Sequence, residues 1–142
     1  MDVVVVNDTA HINGGAAKLA IAEAVGLANR GHSVCFLAAV DPVAEELARH
    51  PGIEVICTHQ PDLLANPNKL QAFLQGWWNR TASAAAQSVA SRRNPAETIV
   101  HLHIWSRALS SSVARVFLDE YLPEVIQKTP LTSHGRFEAE EM

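Results

Sequence analysis

A chain of 142 residues with 48% apolar and 18% charged side chains is the size of one ordinary domain and too apolar to stay unfolded. Its 11 Lys and Arg against 15 Asp and Glu leave a formal net charge of −4. The basic residues form no cluster, which argues against a nucleic-acid partner, whose phosphates need one. The opening Met1 to Asn7 has no basic leader, and no apolar run reaches the ~18 residues of a membrane span. The expected setting is therefore cytoplasmic, with no transmembrane segment. Cys35 and Cys57 each lie inside an apolar run and read as buried free thiols.

Val3 to Val6 is a β-branched run bounded by Asn7-Asp8, as in a strand buried on both faces. Asn13-Gly14-Gly15 opens a helical stretch to about Arg30, and Gly31 follows at the position that favours left-handed geometry. Ser33 to Val40 is the second strand. Asp41-Pro42 then predicts a short helix, with Asp41 as its cap and proline at the first helical position. Pro51-Gly52 ends it, and Ile53 to Cys57 is the third strand. From Asn66-Pro67, the apolar positions Leu70, Phe73, Leu74, Trp77, Trp78, Ala85 and Val89 predict one long helix to Ser91 or Arg92, its apolar face in a core or interface. Thr98 to Leu102 is the fourth strand and Ala108 to Leu118 a helix. Leu122 to Ile126 reads as a possible fifth strand, and Gln127 to Met142 as a frayed or disordered tail. Strands alternating with helices predict an α/β fold: a Rossmann-like open parallel sheet with helices on both faces. The domain spans residues 1–121, and 122–142 diverges from it.

Ligands in such sheets bind beyond the carboxyl ends of the strands. Gly14 and Gly15, just before a helix, let backbone N–H groups approach an anion, or form a plain turn. His11 in the same loop is a pocket residue or a solvated one. His101 and His103, two apart on a strand, share a side. His103, nearer the strand end, faces substrate, while His101 is a second substrate contact or a hydrogen-bonded core residue. Asp41 suits a ribose-binding acid, but its role as a helix cap already accounts for it. The dinucleotide fingerprint G-x-G-x-x-G is absent, and a zinc reading of His101-Leu102-His103 lacks a third ligand. No metal or cofactor is expected.

Val3-Val4-Val5-Val6, then Gly14-Gly15-Ala16 opening a helix, then Leu27-Ala28-Asn29-Arg30-Gly31-His32-Ser33-Val34 resemble the N-terminal domain of GT-B glycosyltransferases, of the family-4 retaining type. Thr98-Ile99-Val100-His101-Leu102-His103-Ile104-Trp105 is similar to that family's D-V-V-H-x-H strand, so the likeness covers about residues 2 to 117. The resemblance implies the first half of a GT-B architecture, which transfers a sugar from a nucleotide-sugar donor to an acceptor. It implies that Gly14 and Gly15 approach the donor diphosphate, that His103 contacts the transferring sugar or acceptor, and that Asn13 and His11 shape the acceptor pocket. The family's C-terminal donor-binding domain has no counterpart in this sequence, which therefore reads as truncated and inactive by itself. The alternative is a stand-alone module that binds a small anion or a nucleotide.

Overall fold

In a computed structural model, residues 1–62, 65 and 67–128 are described. The chain runs β1 (Asp2–Val6), α1 (Gly15–Asn29), β2 (Ser33–Ala38), α2 (Glu45–Ala48), β3 (Ile53–Cys57), α3 (Lys69–Trp77), α4 (Arg80–Ser91), β4 (Thr98–Leu102) and α5 (Ser111–Lys128). The strands form one sheet in the order β3-β2-β1-β4, and each neighbouring pair is parallel. The molecule is an α/β protein with a Rossmann-like open sheet, as its alternation predicts.

Alternation along the strands assigns the two covering layers. Val4, Val6, Cys35 and Leu37 pack with Ala82, Ala86 and Val89 of α4 and Val113 and Phe117 of α5. Val3, Val5, Val34 and Phe36 face the other way, onto Ala20, Ile21 and Ala24 of α1 and Leu47 of α2. Side chains along a strand point to opposite faces, so an unbroken valine run serves two cores at once. Full burial of each such side chain stabilises by about 1.5–3 kcal/mol. The sheet-facing positions of α1 are mostly alanines, which let the helix lie close to the strands. It ends at Gly31, whose φ of 87° is left-handed. The Gly31 N–H donates to the Ala28 carbonyl and the His32 N–H to the Leu27 carbonyl, which satisfies the last turn.

Four local expectations are corrected. The long helix after Asn66 is two helices, α3 and α4, interrupted at Trp78 and Asn79. The Asn79 side chain turns back to accept the Ala82 N–H at 3.0 Å, so it starts a new helix where the apolar spacing runs on. The predicted apolar face of α3 is not core: Phe73 is 64% and Trp77 73% exposed. Asp41 does not cap α2, whose capping position is Ala44. Its carboxylate is taken up by His59 and Cys57 instead. Lastly, Leu122 to Ile126 is helical, because α5 continues to Lys128. Cys35 is buried and free, whereas Cys57, also free, is only partly buried. Of the tail expected over Gln127 to Met142, Gln127 and Lys128 belong to α5 instead, and 129–142 lie outside the described residues, as does Asn66. Among the described residues no helix is long and apolar enough to cross a membrane.

Candidate functional site

The connections run from β1 outward through β2 to β3, and then return to place β4 on the other side of β1. Ligands of open α/β sheets bind where the strand order reverses in this way. A crevice of ≈ 290 Å³ lies there, lined by Asn7, Asp8, Thr9 and Asn13 from the loop after β1 and by Ile104, Arg107 and Ala108 after β4.

Asp8 builds this end of the sheet. Buried to 3% exposure, its carboxylate accepts the backbone N–H groups of Arg107 at 2.8 Å, Ala108 at 3.0 Å and Leu109 at 2.9 Å. The Asp8 carbonyl accepts from Ala39 and Val40, and its N–H donates to Ile104. One residue thereby ties together the segments after β1, β2 and β4. Asn7, also buried, donates from Nδ2 to the Thr9 carbonyl at 2.8 Å, and its Oδ1 has no hydrogen-bond partner among the described residues. The Thr9 hydroxyl reaches the His11 carbonyl and the Asn13 side chain, folding the loop over itself. Arg107 extends its guanidinium to Asp62 at 2.9 Å across the mouth.

Of the residues singled out in the sequence, Asn13 lines this crevice, whereas Gly14, Gly15, His11, His101 and His103 do not. Gly14 caps α1 in an extended conformation open to any residue, and a Cβ added at Gly14 or Gly15 meets no atom within 4 Å among the described residues. Neither glycine is therefore demanded by the described fold. His11 is partly buried, with an Nδ1 that finds no partner among the described residues.

His101 and His103 do share a side, the one facing α1. There Glu23 takes both rings: one carboxylate oxygen pairs with His101 Nδ1, the other with His103 Nε2 at 2.5 Å. The side chain of His103 is 16% exposed and that of His101 50%, so His101 is not a core residue. Glu23 also supplies the third donor that His-x-His lacks in sequence, and the three donor atoms lie within 4.8 Å of one another.

Sequence reasoning missed Asp8, Glu23 and Arg107. Asp8 carried a signal, an acid directly after a buried strand, but it reads equally as a strand boundary. Glu23 reads as the solvated face of α1, and nothing local pairs it with a strand that begins 75 residues later (98 − 23). No family model, curated protein or solved structure matches the chain.

Proposed function

We propose that this domain is the acceptor-side half of a glycosyltransferase of GT-B type, transferring a sugar from a nucleotide-sugar, with the crevice between β1 and β4 as its half of the cleft. The observation that carries this reading is the convergence at one crevice of two stretches on which the resemblance rests. Asn13, next to Gly14-Gly15, and Ile104, next to His103, line the same space.

Departure of a diphosphate is favoured by N–H donors held ready where charge develops, and the start of α1 offers them. A sugar presents closely spaced hydroxyls, which suit the side chains of Asn7, Thr9, Asn13 and Arg107. In this reading His103 contacts the transferring sugar or acceptor. Glu23 fixes its ring and that of His101, and His11 and Asn13 shape the acceptor pocket. The grip on the nucleotide belongs to a second Rossmann-like unit outside these 142 residues.

A ¹⁵N amide titration with inorganic diphosphate and with nucleotide-sugars tests the reading. Shifts are expected at Gly14 and Gly15 with both ligands, and at His103 only when a sugar is present. Gly14→Ala and Gly15→Ala should fold normally, since each methyl meets open space, yet weaken binding. Equal response to diphosphate and nucleotide-sugar, with His103 silent, favours a small-anion module. Titrations that leave all three residues unmoved refute both.

A further inference from the structure

We propose that Asp41, Cys57 and His59 form a binding site for a divalent transition metal of the zinc class, at the carboxyl edge of β2 and β3. Asp41 lies 16 residues before Cys57 and 18 before His59 but meets both in space, because β2 and β3 are parallel neighbours in register from Val34–Ile53 to Ala38–Cys57. Cys57 closes β3, Asp41 follows β2, and His59 comes two residues beyond the strand.

The donor atoms converge. His59 Nδ1 lies 2.6 Å from Asp41 Oδ2, the Cys57 thiol donates to Asp41 Oδ1 at 3.5 Å, and all three lie within 4.8 Å of one another. Zinc bonds of ~2.0–2.3 Å to a tetrahedral centre place donors roughly 3.3–3.7 Å apart, so shifts of about 1 Å in exposed side chains complete the set. The backbone presents His59 to the site. The Thr58 N–H donates to Ala38 and the Gln60 N–H to Ala39, holding the chain on both sides of His59, whose own φ is a left-handed 54°. For a residue with a Cβ that conformation is costly, and here it turns the imidazole toward Asp41.

The chemistry of the set selects the metal. A thiolate with an imidazole and a carboxylate suits zinc or cobalt, whereas magnesium and calcium prefer oxygen alone. Sulfur also separates this site from Glu23, His101 and His103, which offer only nitrogen and oxygen. The inference is independent of the sugar-transfer reading, since none of Asp41, Cys57 and His59 lines the crevice between β1 and β4.

The test is titration of the chelator-treated full chain with Co²⁺, followed by optical absorption. One equivalent should bind and give a sulfur-to-cobalt charge-transfer band that Zn²⁺ abolishes by displacement. Cys57→Ser should remove the band, while His59→Ala and Asp41→Asn should each weaken binding by about tenfold or more. Should Cys57→Ser fail to fold, the latter two variants carry the test. Cobalt bound without the band belongs to the other cluster and overturns the proposal. So does a band that survives Cys57→Ser, or full affinity in both His59→Ala and Asp41→Asn.

Discussion

The carboxylate of Asp8 accepts the backbone N–H of Ala108 at 3.0 Å, joining positions 100 residues apart. Oδ1 takes Ala108 and Leu109, and Oδ2 takes Arg107, so both oxygens of a buried acid are used on main-chain donors. Such a carboxylate sets the conformation of the loop that forms one wall of the crevice.

Asp8→Ala should therefore destabilise by about 2–4 kcal/mol, since each buried donor left unmade costs roughly 1–3 kcal/mol and entering water recovers part of it. Asp8→Asn keeps an oxygen for Ala108 and Leu109 but turns an amide donor toward the Arg107 N–H. It should fall between wild type and Asp8→Ala in denaturant midpoint. Equal midpoints for Asp8→Ala and wild type would show that the loop is held by other contacts.

Asn79 makes a second prediction. Its Oδ1 caps α4, while Nδ2 donates to the Ala108 carbonyl at 2.7 Å and to Gln60 at 2.6 Å. Losing the cap costs about 1 kcal/mol, and a buried carbonyl without its donor adds a similar amount or more. Urea unfolding should thus show Asn79→Ala about 2–3 kcal/mol less stable. Asn79→Asp retains the cap but sets a carboxylate against the Ala108 carbonyl, so it should not recover wild-type stability. A neutral Asn79→Asp would mean that the cap alone matters.

Asp8 and Asn79 also mark where the sequence stops being legible. The strands could be read because β-branched runs between turn residues have few other uses: two of them, Ile53–Cys57 and Thr98–Leu102, fall where expected. Gly31 was legible for a similar reason, since a left-handed helix terminus narrows the choice of residue. Asn79 was not, because the apolar spacing on either side of it is continuous and the competition of its side chain with the helical backbone leaves no periodic trace. The exposed face of α3 shows the converse failure: spacing identifies an amphipathic helix but not what, if anything, covers it. In the candidate site, Asn13 could be proposed from the local pattern of its loop. Glu23 with His103 and Asp8 with Ala108 could not, because each pair is made by tertiary structure alone.

Glu54 on β3 gives a pH prediction. Its carboxyl is held below the ordinary value first by the hydrogen bond from Arg93, at 2.7 Å, with Arg92 adding in the same sense at 3.1 Å. A carboxyl that ionises more readily when folded stabilises the native state above its unfolded value, near 4.5, and that contribution disappears as pH falls through the lower folded value. Stability should therefore decline on acidification below about pH 4.5, less steeply in Glu54→Gln. The side chain is 43% exposed, so the difference should be small and should shrink with added salt. A difference between the two acid limbs that grows with salt would contradict this account.

Cys35 should behave in the opposite sense. Burial of this β2 residue beneath the α4–α5 layer pushes its thiol up to about 11 from 9.0, outweighing the nearby Arg93, which acts to lower it. The neutral thiol is thus favoured by folding. Its contribution is complete below about pH 9 and is lost as pH rises from there through about 11, where the native state must also ionise. The alkaline limb of a stability profile should flatten in Cys35→Ala, even though the variant is less stable at neutral pH because it leaves a small void. Access points the same way. At pH near 8, iodoacetamide should modify the partly buried Cys57 in the native chain, slowly because burial pushes its thiol up as well, and reach Cys35 only on unfolding. Equal labelling of both cysteines in the native state would mean that the core around Cys35 opens far more readily than its packing implies.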